Sequence, residues 1–129
     1  MSKCKVLAFL LCESATRDRD EKVTLHGLFD RIIIPRTPKD DKLFFVYYKV
    51  FVEGKCTVSL RVTHSCGQEI SGNWRHEHSH LGPIQAVWLL AASLFRQPGR
   101  YELELREESE DAEALSLANT QLVVNRQEE

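Results

Sequence analysis

The sequence predicts an all-β fold, in which residues 1–129 form a single antiparallel β-sandwich of about eight strands, of the immunoglobulin-like, C2-like or jelly-roll type. Apolar residues recur at every second position in most segments, which is the period of a half-buried strand. Turn-forming residues separate these segments at intervals of roughly 8–15 residues. The chain has 129 residues, of which 43% are hydrophobic, so it can bury one core.

The first third of the chain contains two predicted strands. Residues 4–13 are almost continuously apolar, which predicts a strand covered on both faces. Residues 14–21 are polar and predict a solvated hairpin loop. Apolar and polar residues alternate over residues 22–34, which predicts a half-buried strand with a β-bulge at Gly27. The two prolines in residues 35–42 predict an exposed connection that crosses from one sheet to the other.

The middle of the chain has the clearest strand signals. Residues 43–53 are rich in aromatic and β-branched residues. Apolar and polar residues alternate over residues 57–63, which predicts a strand with one solvent-exposed face. Residues 68–80 are more polar and predict an edge strand or an ordered loop. In the segment at residues 43–53, the side chains that share the buried face are Phe44, Val46, Tyr48, Val50 and Val52.

Residues 84–95 fit two kinds of secondary structure. Pro83 suits a first helical position, and the Ala- and Leu-rich string that follows is compatible with a helix. A strand that places Ala86, Trp88 and Leu90 on one face fits the other predicted elements better. We therefore predict a strand, with a short helix at residues 84–92 as the alternative.

The last third of the chain predicts two more strands. Residues 101–105 alternate cleanly, with Tyr101, Leu103 and Leu105 buried. Residues 107–113 form an acidic segment that predicts a solvated loop. Residues 115–125 predict a final strand, and the residues after it are expected to fray.

Several of these features resemble a group of small, uncharacterised bacterial β-sandwich domains. The first strand ends in Cys12-Glu13 and a charged turn, and the box Gly27-Leu-Phe-Asp-Arg-Ile32 precedes the Pro-rich crossing. Pro98-Gly-Arg-Tyr101 then opens a penultimate strand. The resemblance covers most of the chain and implies a β-sandwich in the bacterial cytoplasm, with a strand over residues 84–95. It supplies no catalytic residues, and the chain departs from the group in its histidine-rich segment.

Charge and cysteine content argue against several classes of function. Seventeen basic and nineteen acidic residues give a formal net charge of −2, without the basic cluster that a nucleic-acid-binding protein needs. The apolar run at residues 6–12 is too short for an export signal, and no run approaches the roughly 20 residues of a membrane span. We therefore expect a cytoplasmic protein in which Cys4, Cys12, Cys56 and Cys66 are reduced thiols.

Three alternating histidines form the candidate metal site. His76, His78 and His80 lie at every second position and would share one face of a strand, where two imidazoles can bind one Zn²⁺ ion and a third needs a bend in the chain. His64 and Cys66 are further candidate ligands. The simpler interpretation is a polar edge whose histidines contact only water, with no cofactor bound.

The function predicted from the sequence is that of a non-enzymatic protein-interaction or scaffold module. The chain has no nucleophile elbow, phosphate-binding loop or zinc-protease helix, and Asp30 and Arg31 fit a structural ion pair. Loops, or an edge strand near Ile70 or the C-terminus, would bind another protein or a second copy of the chain. A zinc-binding domain, hydrolytic or not, is the alternative. A third class is sugar binding by an exposed Trp74.

Overall fold

The computed structural model describes residues 2–20, 22–34, 42–109 and 113–126. Strands dominate these residues, and one short 3-10 turn follows the eighth strand. The strands are β1 (Cys4–Arg17), β2 (Val23–Leu28), β3 (Arg31–Ile34), β4 (Leu43–Val52), β5 (Cys56–His64), β6 (Glu69–Ile70), β7 (Arg75–His78), β8 (Gly82–Ala91), β9 (Gly99–Glu108) and β10 (Leu115–Arg126).

The strands form two sheets, which confirms the predicted all-β sandwich. The smaller sheet has the order β2-β1-β4-β8, and the larger has the order β3-β10-β9-β5-β6, with β7 also paired to β5. Neighbouring strands are antiparallel except β3 and β10, which run parallel. The prediction of a purely antiparallel sandwich is therefore wrong at this one pair.

The core lies between the two sheets and contains the residues that the alternation predicted. The predicted inward side chains of β4 are buried, as are Val58, Leu60 and Val62 of β5. Tyr101, Leu103 and Leu105 of β9 lie beside the β5 residues in the larger sheet and are buried in the same core. Burial of one parity from each sheet is what a two-layer sandwich requires.

The first strand differs from its prediction in length and in cover. It continues to Arg17, four residues beyond the predicted end, so the hairpin turn is shorter than expected. In that turn the Asp18 carboxylate accepts hydrogen bonds from the backbone N–H groups of Asp20 and Lys22, at 2.8 and 3.0 Å. The outer face of β1 is only partly covered, because Cys12 is buried but Leu7 and Leu10 remain 54% and 38% exposed.

The predicted strand over residues 22–34 is two strands in different sheets. β2 pairs with β1, whereas β3 pairs with β10 in the larger sheet. Gly27 adopts a left-handed φ of +68° just before the crossing. Phe29 then enters the core against Phe44, and the Asp30 carbonyl accepts a hydrogen bond from the Val123 N–H. The apolar pattern continues through the crossing because Phe29, Ile32 and Ile34 pack against the core, although Leu28 and Ile33 are exposed.

Two predicted connections lie largely outside the described residues. The prediction for residues 35–42 falls on residues 35–41, which the structure does not describe, but the strands on either side do belong to different sheets. The acidic segment at 107–113 includes residues 110–112, also outside the described ranges, as is most of the C-terminal end. The prediction of a solvated loop over residues 107–113 is wrong at its first residue, because Glu107 is buried and belongs to β9.

The segment at residues 68–80, predicted as an edge strand or an ordered loop, contains β6 and β7, which both pair with β5. Trp74 precedes β7, is only partly exposed and packs against the core. A Cβ atom added at Gly72 would lie 2.3 Å from the Trp74 ring, so the ring lies directly on this glycine. The prediction that Trp74 is exposed is therefore wrong.

Residues 84–91 of the segment predicted as a strand over 84–95 do form a strand, which ends four residues early, and the short helix at 84–92 is wrong. Every residue of β8 pairs with β4, from Gly82 opposite Val52 to Ala91 opposite Leu43. Helix propensity is outweighed here because pairing satisfies the backbone and buries Trp88 and Leu90. The 3-10 turn Ala92–Leu94 then leads to Phe95, which is fully buried.

We predict that Gly99→Ala destabilises the protein more than Gly67→Ala does. Both glycines have a positive φ, of +133° and +99°. A Cβ at Gly99 would also lie 2.7 Å from His64 Nε2, whereas a Cβ at Gly67 would meet nothing within 4 Å. Urea unfolding should show a loss of about 1 kcal/mol for Gly67→Ala and at least about 2 kcal/mol for Gly99→Ala. Equal losses would contradict a steric role for His64.

Candidate functional site

His76 and His78 meet at the hydroxyl group of Tyr48. β7 lies in the larger sheet and Tyr48 lies on β4 of the smaller sheet, so the three side chains join the two layers. The Tyr48 hydroxyl oxygen is 2.7 Å from His76 Nδ1 and 2.7 Å from His78 Nε2. The i, i+2 spacing puts both rings on one face of β7, as the sequence predicted. The interpretation that these histidines contact only water is wrong for His76 and His78, because that face points inward to Tyr48.

The cluster of Tyr48, His76 and His78 forms a complete hydrogen-bond relay when both histidines are neutral. The Tyr48 hydroxyl donates its proton to one imidazole and accepts an N–H from the other. Burial lowers the pKa of both histidines, and the proximity of His78 lowers the pKa of His76 further. Burial also raises the pKa of Tyr48 well above its usual range. All three groups are therefore uncharged near neutral pH.

Trp88 orients one side of this cluster. Its ring stacks on His76 with a centroid distance of 4.8 Å and an interplanar angle of 6°, and it lies 4.7 Å from the Tyr48 ring. The indole Nε1 of Trp88 is buried and has no hydrogen-bond partner among the described residues. These aromatic contacts restrict the positions that the His76 ring can take.

His80 does not join the cluster. β7 ends at His78, and His80 lies exposed in the turn before β8, so the alternation that predicted three histidines on one face stops after two. Over the described ranges of the chain, no three His, Cys, Asp or Glu side chains are placed to hold a metal ion together.

His64 and Cys66, the other candidate ligands, belong to a separate turn. His64 Nε2 lies 3.0 Å from the Pro98 carbonyl oxygen, and His64 Nδ1 accepts the backbone N–H of Cys66 at 3.0 Å. Because one ring nitrogen has its partner in this turn and the other has its partner at Pro98, His64 holds the β5–β6 connection against the start of β9. All four cysteines are free thiols.

A second buried polar group surrounds Glu107. Its carboxylate accepts hydrogen bonds from the Ser2 hydroxyl at 2.8 Å, from the Lys3 N–H at 2.9 Å and from the Cys4 thiol at 3.3 Å. Burial, followed by the hydrogen bond to Glu107, raises the pKa of Cys4 well above its usual range. Burial likewise raises the pKa of Cys56. These thiols are therefore protonated and unreactive near neutral pH.

We predict that stability falls as the pH is lowered from 7 to 5, with a chelator present. The histidine pKa is 6.5 in the unfolded chain and lower in the folded protein, so the unfolded state binds more protons below pH 6.5. Chemical unfolding at each pH measures the slope. His76→Gln with His78→Gln should flatten it, whereas His80→Gln should leave it unchanged. A slope that survives the double substitution would contradict this assignment.

The outer face of the smaller sheet is apolar. Cross-strand rows on this face join Leu10 to Tyr47 and Val87, and join Cys12 to Phe45 and Leu89. Cys12 and Tyr47 are buried although neither belongs to the core cluster, because their neighbours on this outer face cover them. We call this surface the apolar face; its large exposed side chains are Leu10, Leu28, Leu43, Phe51, Val87 and Leu89.

The outer face of the larger sheet is polar by contrast. Alternate residues of β9 that face away from the core are charged, and they pair with Thr and Arg residues of β5. Ion pairs cross this face between Arg61 and Glu69 at 3.4 Å and between Arg75 and Glu108 at 2.6 Å. The outer face of the larger sheet is therefore suited to contact with water, as one face of an antiparallel sheet usually is. The outer face of the smaller sheet is not.

A family model, described as a family of unknown function and designated DUF6941, matches residues 7–118. The chain belongs to this family. The match includes Tyr48, His76 and His78 and nearly all of the apolar face of this DUF6941 domain. A search of curated proteins found no match. No helix among the described residues of the DUF6941 domain is long and apolar enough to cross a membrane.

Prediction from the sequence identified His76 and His78, two of the three side chains that meet in the relay of the DUF6941 domain. It missed Tyr48 as a polar partner, because its parity marked it only as a core residue. It also missed the apolar face. The available signal was apolar residues at both parities of β1, β4 and β8, seen most clearly in Phe44, Phe45, Val46 and Tyr47.

Proposed function

We propose that the chain is a non-enzymatic protein-interaction module that binds another protein through its apolar face. The contrast between the two outer faces supports this function. Val87 and Leu89 are 36% and 50% exposed and lie opposite Tyr47 and Phe45 on the adjacent strand, whereas Phe51, 42% exposed, lies beyond the row of Lys49 and Gln85. Contiguous apolar surface of this kind is characteristic of interaction sites, whereas isolated exposed apolar residues are ordinary.

The charges on this surface indicate the chemistry of the partner. Lys5 and Lys49 share the outward parity of β1 and β4, and no carboxylate occupies an outward position in the described part of the smaller sheet. The proposed partner therefore has apolar side chains that cover the row around Tyr47 and acidic side chains that lie beside the two lysines. A second copy in a face-to-face complex would bring lysines without carboxylates, so we favour a different protein.

The edge of the smaller sheet adds to this surface. β8 is an edge strand of ten residues, Gly82–Ala91, and contains no charged residue. Edge strands are usually protected by charges, prolines or bulges, and here Pro83 protects only the start of the strand. A partner that covers Val87 and Leu89 would also cover this edge.

Site-specific photocrosslinking in the native cell tests the proposal. A photoreactive benzoylphenylalanine at Val87 should give one dominant adduct with a different protein. The same residue at Gln121, which is exposed on β10 of the larger sheet, is the matched control and should give none. With the adduct partner purified, Leu89→Glu and Lys49→Glu should each weaken binding by at least about tenfold.

Three outcomes would overturn the proposal. They are the absence of any adduct from Val87, equal adducts from Val87 and Gln121, and affinity unchanged by both substitutions. Adducts with a second copy alone would contradict the acidic partner inferred from the two lysines. Leu89 is half exposed, so Leu89→Glu should retain the folded state, and its circular dichroism spectrum checks this.

The proposed compartment is the cytoplasm of a bacterium. The free thiols are compatible with a reducing environment, and a domain with this core needs no disulfide. The alternative function is zinc binding. His80 does not contribute to such a site, but one specific observation favours it: two imidazole nitrogens contact the same phenol oxygen.

A further inference from the structure

The geometry points to a Zn²⁺ site formed by His76 Nδ1, His78 Nε2 and Tyr48 Oη, with a fourth coordination position open to solvent or to another ligand. The third ligand is thus a tyrosine from the opposite sheet and not the third histidine of the sequence pattern. This site is separate from the apolar face, because Tyr48 and Trp88 point into the sandwich whereas Val87 and Leu89 point out of it.

Two of the three donor atoms already contact the third. Each histidine nitrogen lies 2.7 Å from the same phenol oxygen. In a tetrahedral zinc site with bonds of about 2.0–2.1 Å, adjacent ligand atoms are about 3.3 Å apart, so each nitrogen needs to move away from the oxygen by only about 0.6 Å. Small rotations of two half-exposed imidazoles on an edge strand can supply this movement.

The surroundings support metal binding in two ways. Stacking on Trp88 keeps the His76 ring beside Tyr48. The pairing of β7 with β5, which places His78 opposite Cys56 and His76 opposite Val58, fixes the backbone of both histidines.

Binding replaces one proton with the metal. The Tyr48 hydroxyl proton leaves for solvent as the phenolate oxygen binds Zn²⁺. The imidazole that donates to Tyr48 in the metal-free relay carries its proton on its other ring nitrogen once the metal is bound, and no oxidation or reduction takes place. The zinc ion compensates the cost of a buried phenolate, which an isolated tyrosine in the core could not tolerate. Zn²⁺ binding is therefore expected to release one proton. Calorimetry in buffers of different ionisation enthalpy detects this release.

Titration of untagged, chelator-treated protein with Zn²⁺ alone, followed by calorimetry, tests the site. We expect one equivalent to bind. His78→Gln should lower the affinity by more than about a hundredfold, and Tyr48→Phe by at least about tenfold. His80→Ala is the matched control, since it removes a histidine of the same segment, and it should leave the affinity unchanged.

A spectroscopic measurement separates ligation from indirect effects on folding. Co²⁺ in place of Zn²⁺ should give the intense visible bands of a four-coordinate site, and Tyr48→Phe should shift them even where binding persists. His76→Ala also removes a ring that stacks on Trp88, so His78→Gln is the primary variant, and its unfolding curve confirms that it is folded.

The outcomes are decisive in both directions. One equivalent of Zn²⁺ that depends on His78 and Tyr48 but not on His80 establishes the site. Failure of the wild-type protein to bind Zn²⁺, equal losses in His80→Ala and His78→Gln, or affinity unchanged in every variant would each overturn it. None of these results affects the crosslinking test, because Val87, Leu89 and Lys49 are not ligands of this site.

Discussion

Phe95→Ala should lower the free energy of unfolding by about 4 kcal/mol. Phe95 is fully buried just after the 3-10 turn, with ring-centroid distances of 5.5 Å to Phe44 and 5.0 Å to Tyr101. Alanine removes these edge and tilted contacts and leaves a cavity between the sheets, which the rigid strands on either side cannot close. Urea unfolding monitored by circular dichroism measures the loss.

The neighbouring residue provides the control. Leu94 is 37% exposed, so Leu94→Ala should cost less than about 1 kcal/mol under the same conditions. The two substitutions change the same local turn and differ mainly in burial. A loss for Leu94→Ala as large as that for Phe95→Ala would mean that the turn itself, and not the aromatic packing, holds the sheets together at this end.

Glu107→Ala should lower the free energy of unfolding by about 2–3 kcal/mol. The carboxylate is buried and receives hydrogen bonds from Ser2 and from the backbone N–H of Lys3, which would lose their acceptor. Amide hydrogen exchange at Lys3 should accelerate in the variant, because this N–H would then be free to exchange with water. Unfolding and exchange together report both the cost and its location.

Glu108→Ala is the matched control for this prediction. Glu108 is the next residue of the same strand, but its side chain faces outward and forms an ion pair with Arg75. The Arg75 side chain is 53% exposed. Exposed ion pairs contribute little, so the loss should be below about 1 kcal/mol. Equal losses for the two glutamates, or unchanged exchange at Lys3, would contradict the role assigned to the buried carboxylate.

The sequence predicted the strands best where polar and apolar residues alternate cleanly. β4, β5 and β9 were placed with the correct inward faces, because alternation over a long strand leaves one choice of face. The strand predicted over residues 84–95 was also correct as far as residue 91, although Pro83 and the run of Ala and Leu residues fit a helix equally well. Its prediction depended on consistency with the neighbouring segments.

Predictions failed where the chain changes sheets or where a strand ends. Residues 22–34 have apolar residues throughout, and the step at Phe29 and Asp30 from one sheet to the other leaves no gap in that pattern. The histidine alternation was correct for His76 and His78 and failed at His80, because β7 ends at His78. Local periodicity contains no information about either event.

The candidate site was predicted only in part for the same reason. The spacing of His76 and His78 put them on one face, but their meeting with Tyr48 depends on contact between the two sheets. The residues are 28 and 30 positions apart in the sequence, and nothing local joins them. Glu107 was likewise assigned to a loop because its acidic neighbours suggested solvent.

By itself, the sequence determined that this chain forms strands, which parity of β4, β5 and β9 is buried, and that two alternating histidines share a face. The tertiary structure decided which strands pair, and therefore that β2 and β3 lie in different sheets and that the apolar face remains uncovered. The physical reason is that alternation is a local property of each strand, whereas pairing is set by contacts between strands far apart in the sequence, such as β3 with β10.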